Sequence, residues 1–332
     1  MYMSRRFSVG GMQVKYYVGV DGGGTKTAVC VASADSSQLK SEVTGSAAWR
    51  EFGIDNVIKQ IKTVIDNFHL SENGEIAAIA MGLPCYGESE AGDRELEKSI
   101  QEVFSPVPVY ITNDVEVGWA GSLGLTPGIN VVAGTGSIAF GRDETGATAR
   151  CGGWSEFFSD EGSCYNIGRK SLQLFSKQAD GRVPKDEFYS IFREGLNLKN
   201  DFDIIDIVHG QYIGSRDKVA ALQLLTKDAA LAGSKSAKSL YEAAAGELCC
   251  LVEAIRNTLN FQQNPYMVSY SGGLYKTGDL ILPYFFEGIE ALGGKPVSPM
   301  YEPMYGALLL AFEKSNPEGL KKLQERLLSL KC

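Results

Sequence analysis

Tyr17-Val-Gly-Val-Asp21-Gly22-Gly23-Gly24-Thr25-Lys26-Thr27-Ala-Val-Cys-Val31 sets a glycine triplet, an acid and a threonine between two runs rich in β-branched residues. Gly19 to Thr27 comes close to the P-loop pattern G-x-x-x-x-G-K-[ST], but Thr25 stands between Gly24 and Lys26. A P-loop must also open into a helix whose first N–H groups hold phosphate. Thr27-Ala-Val-Cys-Val31 reads instead as a returning strand, so the turn is the tip of a β-hairpin. A second stretch, Asn130-Val-Val-Ala-Gly134-Thr135-Gly136-Ser137-Ile-Ala-Phe140, has the same form, and the dinucleotide fingerprint G-x-G-x-x-G fails at both. Between them Tyr110-Ile-Thr-Asn-Asp114 ends another strand on an acid. Either turn alone reads equally well as a plain hairpin. Glycine lets backbone amides approach an anion, and Thr or Ser adds hydroxyl donors. Two such turns with one carboxylate between them form the equipment of an ATP-dependent phosphotransferase.

Length and composition narrow the class. A chain of 332 residues suggests two domains, and 44% hydrophobic with 22% charged residues is ordinary for a globular protein. The net charge of −8, with no basic stretch, argues against a nucleic-acid partner. No apolar run approaches the roughly 20 residues that span a membrane. Met1 to Val14 carries Arg5 and Arg6 without an apolar segment, so it reads as a loose tail and not a secretory signal. Seven cysteines, with no C-x-x-C, point to a reducing cytoplasm.

The pattern is α/β. Strands are expected at 15–20, 27–33, 39–44, 76–81 and 107–112, with helices at 53–68, 92–104 and 115–124. A second unit opens near Gly128 with the second hairpin and continues through Ala147 to Cys151. Helices at 161–178, 184–195, 216–232 and 235–260 follow, then a strand at 266–270 running into Ser271-Gly272-Gly273. Apolar and amphipathic helices are expected at 303–312 and 318–330. The expected domains are residues 15–124 and 125–315, with a C-terminal helix in 316–332. Two hairpins opening two units suggest an ancient duplication.

Asp21-Gly-Gly-Gly-Thr25, Asn113-Asp114, Gly134-Thr-Gly-Ser137, Cys151-Gly-Gly-Trp154 with Asp160-Glu-Gly-Ser163, and Ser271-Gly272-Gly273 fall in the order seen in N-acetylglucosamine kinases. More broadly they resemble the BadF/BadG/BcrA/BcrD ATPase family of the actin–hexokinase–Hsp70 superfamily, over about residues 15–315. The resemblance implies a two-domain ribonuclease H-like (actin/hexokinase-type) fold with an interdomain cleft, ATP and Mg²⁺ as cofactors, a small-molecule sugar as substrate, and a homodimer.

It also implies roles. Asp21 resembles the first phosphate-motif acid, which holds Mg²⁺, usually through water. Thr25 and Thr135 resemble the hydroxyls that contact ATP phosphates, helped by Lys26, by Ser137 and by the amides of Gly22, Gly23, Gly24, Gly134 and Gly136. Gly272 and Gly273 resemble the adenosine motif. Asp114 corresponds to the base that takes the proton of the sugar hydroxyl; the alternative is an N-cap of the following helix. Gly153, Trp154 and Asp160 resemble the amino-sugar pocket, a tryptophan face packing on a pyranose. The alternative makes Trp154 core and Asp160 a helix cap.

Two departures from the family pattern bear on the sugar. Ala48 stands in the substrate loop where family kinases place asparagine, and Ile138 replaces a second asparagine. Arg50 nearby raises the possibility of an anionic substrate, its plain alternative being a surface arginine. Two other activities fit the same motifs: an ATPase activating a CoA-thioester reductase or dehydratase, and a non-catalytic nucleotide or sugar sensor. The cysteines lack cluster-like spacing, and both Asp21 and Asp114 are present, which favours the kinase.

Overall fold

The computed structural model describes residues 13–70 and 74–330. Most of the expected tail therefore lies outside the described residues, but Val14 already pairs with Gly74 in the first sheet. The chain opens with β1 (Val14–Gly22), β2 (Thr27–Ser33), β3 (Leu39–Thr44), the short α1 (Trp49–Phe52), α2 (Ile54–Asn67) and β4 (Gly74–Leu83). Then come α3 (Glu90–Phe104), β5 (Val109–Asn113) and α4 (Asp114–Leu123). The second half adds β6 (Gly128–Ala133), β7 (Ser137–Arg142), β8 (Thr148–Gly152), α5 (Cys164–Ala179), α6 (Glu187–Gly195), α7 (Asp203–Ile207), α8 (Arg216–Ala221), α9 (Gln223–Leu231) and α10 (Lys235–Thr258). It continues through β9 (Tyr266–Ser271), a 3₁₀ turn at Gly273–Leu280, α11 (Leu282–Ala291) and β10 (Gly294–Val297), and ends with α12 (Pro303–Ser315) and α13 (Pro317–Ser329). Among the described residues no helix is long and apolar enough to cross a membrane.

Among the described residues, those up to 125 and from 301 onward form one compact unit, and residues 126–300 form the other. This division differs from the expected second domain of 125–315, because α12 packs on the first sheet and not on the second. The reason lies in small residues. A Cβ on Gly19 of β1 would collide with the Leu308 backbone nitrogen, and one on Gly306 would collide with the Val117 carbonyl oxygen of α4. Backbone thus rests on backbone, and the Tyr17 and Phe312 rings sit 4.5 Å apart beside it.

The first sheet runs β3-β2-β1-β4-β5. β1, β2 and β3 pair antiparallel, while β1, β4 and β5 pair parallel. Alternate residues of β1 explain why both faces are covered. Tyr16, Val18 and Val20 point into a core with Val57, Ile61 and Val64 of α2 and Leu96 and Ile100 of α3, while Gly19 faces α12. The second sheet runs β10-β9-β6-β7-β8, with antiparallel β6-β7-β8 and parallel β6-β9-β10. Strand for strand, that is the order of the first sheet. Its core joins Ile129, Val131 and Val268 to Leu248, Val252 and Ile255 of α10 and Phe285 and Ile289 of α11. Both glycine turns are hairpin tips, as their strand-like sequels require.

Helix ends differ from the pattern reading where local backbone intervenes. The helix expected from 161 starts at Cys164, after Asp160 and Gly162 at positive φ, and Ser163 caps it by accepting from the Asn166 N–H. The expected 216–232 helix is split into α8 and α9 at Leu222.

Replacing Gly306 by Ala forces a Cβ into the α4 backbone, and such overpacking costs about 1–3 kcal/mol. Gly246 is an exposed residue of α10, and a Cβ added there would meet no atom within 4 Å, so Gly246→Ala stabilises by about 0.5–1 kcal/mol. Thermal unfolding should show opposite shifts for the two variants. An unshifted Gly306→Ala midpoint contradicts the close helix contact.

Candidate active site

Parallel pairing brings three strand ends to one edge. Asp21 of β1 lies opposite Gly82 of β4, Gly82 opposite Thr112 of β5, and Leu83 opposite Asn113. Ligands of open α/β sheets gather at such carboxyl ends. Asp114 opens α4 immediately after β5, and the capping alternative goes to its neighbour: the Asn113 side chain accepts from the Val115 N–H and donates to the Tyr86 carbonyl. Asp21 is pushed up to about 7, first by desolvation and then by the Asp114 and Glu302 charges, with Lys26 acting in the opposite direction. The two acids predicted for the site are thus close enough to feel one another.

The tip above them is built for exposure. Gly22 is fixed by packing, since a Cβ there would lie 2.7 Å from Ala47 Cβ and 2.9 Å from the Gly82 carbonyl. Gly24 would meet nothing within 4 Å, and Gly24, Thr25 and Lys26 are exposed. The Gly23 N–H donates to the Lys26 carbonyl, closing the turn. The following loop latches to it: Ala47 N–H donates to the Gly23 carbonyl and Ser46 Oγ to the Gly24 carbonyl at 2.7 Å. Ala48, half-buried, precedes α1 and gives its N–H to Ser46 Oγ. Arg50 is a surface arginine with its contacts already made, donating to the Cys85 carbonyl, 3.6 Å from a Glu88 oxygen and stacked over Trp49.

In the second unit the corresponding tip is held from below. The Gly134 and Thr135 carbonyls accept the Cys164 and Tyr165 N–H groups at the start of α5. Ser137, expected at phosphate, has its hydroxyl donating to the Glu161 carbonyl and its N–H to Asp160 Oδ1. Asp160 is 2% exposed, and its other oxygen accepts from Arg216 at 2.5 Å. A Cβ on Gly136 would strike the Arg216 guanidinium and lie 2.8 Å from Asp160, so a side chain there would displace that ion pair. Asp160 is therefore not the helix cap of the alternative reading; it pins the hairpin. Parallel β6 and β9 carry Gly272 and Gly273 to the same edge. Gly272 has φ +106° and no room for a Cβ beside the Ala133 carbonyl, whereas Gly273 has open space. Trp154 is 77% exposed, which excludes the core alternative, and Ile138 packs over Gly153.

Sequence reasoning missed Glu302 and Arg216. Glu302 precedes Pro303 and reads as an ordinary helix start, and Arg216 is separated from Asp160 by 56 residues. Neither carries a local signal.

Among the described residues no three or more His, Cys, Asp or Glu side chains form a metal-holding group. Mg²⁺ needs less than that, binding through one or two carboxylates with waters and substrate phosphates, and Asp21 beside Asp114 fits that demand.

A model of the BadF/BadG/BcrA/BcrD ATPase family matches residues 18–311. The chain belongs to this family. It is 28% identical over 309 residues to the N-acetylmuramic acid/N-acetylglucosamine kinase of Clostridium acetobutylicum, covering 90% of this chain and 98% of that protein. It is also 28% identical over 320 residues to the N-acetyl-D-glucosamine kinase of Dictyostelium discoideum, again covering 90% and 98%. In structure it is similar to a Chromobacterium violaceum protein provisionally assigned as an N-acetylglucosamine kinase, with TM-score 0.70, 24% identity and coverage of 90% and 99%. A ROK family glucokinase from Streptomyces griseus matches with TM-score 0.54, 15% identity and coverage of 91% and 99%. These two share the two-domain actin/hexokinase-type fold with this member of the family.

An unfolded chain releases the Asp21 proton near 3.8, the folded protein only near 7. Between those values the folded state holds the extra proton, so rising pH costs it stability relative to the unfolded chain. Asp21→Asn removes that loss. By scanning calorimetry without divalent cations, its advantage in Tm over wild type should be smallest at about pH 4 and grow to several degrees above pH 7. An advantage independent of pH would show that Asp21 is not the strained acid.

Proposed function

We propose that the chain is an ATP-dependent kinase that transfers the γ-phosphoryl group to a hydroxyl of N-acetylglucosamine or a related amino sugar. The observation that carries this reading is Asp21 and Asp114 at one edge of the sheet, on the ends of β1 and β5 with β4 between them, below an exposed glycine tip. The kinase names of both curated relatives support it.

In this reading the sugar hydroxyl oxygen attacks the γ-phosphorus, the bond from that phosphorus to the β,γ-bridging oxygen breaks, and ADP leaves. Asp114 accepts the hydroxyl proton, orienting the nucleophile as its charge develops. Amides of Gly22 to Gly24, with Thr25 and Lys26, hold phosphate oxygens on one tip; Gly134 to Gly136 and Thr135 serve on the other. Gly273 leaves space for the nucleoside. Asp21 would hold Mg²⁺, which when bound neutralises phosphate charge; the cation would also draw Asp21 into its ionised form. Asp160 positions the second tip and has lone pairs left to accept a sugar hydroxyl. Trp154 offers an exposed face for the pyranose. Homodimeric assembly belongs to the same proposal, as does a cytoplasmic location, which the free thiols of Cys30, Cys85, Cys151, Cys164, Cys249 and Cys250 support.

A coupled ADP-release assay with N-acetylglucosamine, glucosamine, N-acetylmannosamine and glucose tests the reading. Asp114→Asn should lower turnover by about 10²–10⁴-fold, with nucleotide affinity retained by calorimetry. A variant keeping a third of wild-type turnover would remove Asp114 from the chemistry.

A further inference from the structure

β5 closes one side of the first sheet, and among the described residues no strand pairs with its outer edge. Such an edge offers N–H and C=O groups to another chain, and proteins commonly guard it with charge, proline or a bulge. This one is unguarded. Val109-Tyr-Ile-Thr-Asn113 is β-branched and aromatic without a charge, Pro108 stands ahead of the strand, and all five residues are half-buried. Its register with β4 runs unbroken from Val109 to Asn113, so it has no bulge.

The ladder fixes which groups face outward. The Ile79 N–H donates to the Pro108 carbonyl at 3.0 Å, and along a parallel strand alternate residues turn both backbone groups to the same neighbour. Tyr110 and Thr112 therefore face β4, and Val109, Ile111 and Asn113 turn their N–H groups out. Those N–H groups have no backbone partner among the described residues.

Charge along the edge is ordered too. Tyr110 and Thr112 share the side covered by α12: the Tyr110 hydroxyl is 3.0 Å from Ser315 Oγ at the end of α12, and the Thr112 hydroxyl donates to the Glu116 carboxylate of α4. A groove of about 390 Å³ follows this side, lined by Tyr110, Thr112, Glu116, Leu310 and Lys314. Lys314 is exposed, and its ammonium has no partner among the described residues. The edge is thus basic beside Tyr110 and acidic beside Thr112.

That pattern is its own complement. A two-fold axis through Ile111 sets two copies of β5 antiparallel, with Ile111 opposite the partner's Ile111 and Val109 opposite the partner's Asn113. The outward residues then meet as hydrogen-bonded pairs, and the same rotation brings Lys314 of one edge against Glu116 of the other. A slip of one residue would set outward groups against residues whose own groups face β4. We infer that β5 is the seam of a homodimer, in which a second copy of this chain continues the first sheet across the axis. Asp114 follows the strand directly, so the seam joins the two strand ends that carry the proposed base. The inference rests on the homodimeric assembly proposed above and not on the identity of the sugar.

Sedimentation velocity of the full chain over a wide range of concentration reads the dimer dissociation constant, and hydrogen exchange reads the edge. Wild type should dimerise, with the 107–114 segment exchanging more slowly as dimer forms. Lys314→Glu and Glu116→Lys should each raise the dissociation constant about tenfold, because each sets like charges together at both symmetric sites, and combining them should restore it. Ile111→Pro removes the outward N–H on the axis and should leave a monomer; the charge variants keep the test valid if that variant fails to fold. A dimer indifferent to the charge variants, a loss that the double variant does not rescue, or exchange of 107–114 that ignores concentration would overturn the inference and leave homodimeric assembly standing. A wild type that stays monomeric at every concentration would overturn both.

Discussion

Two carboxylates stand at the same edge of the first sheet, at the ends of parallel strands with β4 between them, and the chemistry of the first unit depends on the burial and like charge that oppose the ionisation of Asp21. The register of β1, β4 and β5 leaves Asp21 and Asp114 no choice of edge. Desolvation and like charge make the ionised form of Asp21 costly, and it is pushed up to about 7. Such a site is relieved by a proton or by a cation. The cost is sustained by packing around it: Gly22 lets the 45–48 loop close over the tip, Gly82 admits Val117 of α4, and Gly19 admits α12. Larger side chains at these positions would open the edge and let the acids separate.

The same strand order recurs in both units, yet the tips are stabilised differently. The first carries its acid half-buried and unneutralised by a close ion pair, under exposed Thr25 and Lys26. The second tip hangs on Asp160, a buried carboxylate with a guanidinium at 2.5 Å and the Ser137 N–H at 3.2 Å. Removing one member of such a pair leaves the other buried without compensation, so Arg216 and Asp160 act together in shaping the Gly134–Ser137 turn.

The fold was legible because both glycine turns are flanked by strand-like sequence, which excludes a P-loop and forces hairpins. Helices with one apolar face, such as α2, were equally plain. What escaped was determined by contacts distant in sequence. α12 reads as an apolar helix of the second domain, and only its fit through Gly306 to α4 assigns it to the first unit. α11 and β10 carried no expectation from sequence; Pro283 lies in the first turn of α11, where proline is at home. In the site, the residue types next to glycine marked the positions that the structure places at strand ends and hairpin tips. The bonds of Ser137 to Glu161 and Asp160 carried no sequence signal, because they depend on how the 152–163 segment folds back. Glu302 and Arg216 reach the site from across the chain.

Whether the carboxylate pair directs phosphoryl transfer to a sugar or merely permits ATP hydrolysis is decided most directly by the fate of solvent oxygen. The protein, Mg·ATP and N-acetylglucosamine are incubated in ¹⁸O-enriched water and the products resolved by mass spectrometry. The account predicts a sugar phosphate without ¹⁸O in its phosphoryl group, formed in step with ADP. Inorganic phosphate carrying one ¹⁸O atom and accounting for all the ADP, with no sugar phosphate, would contradict it.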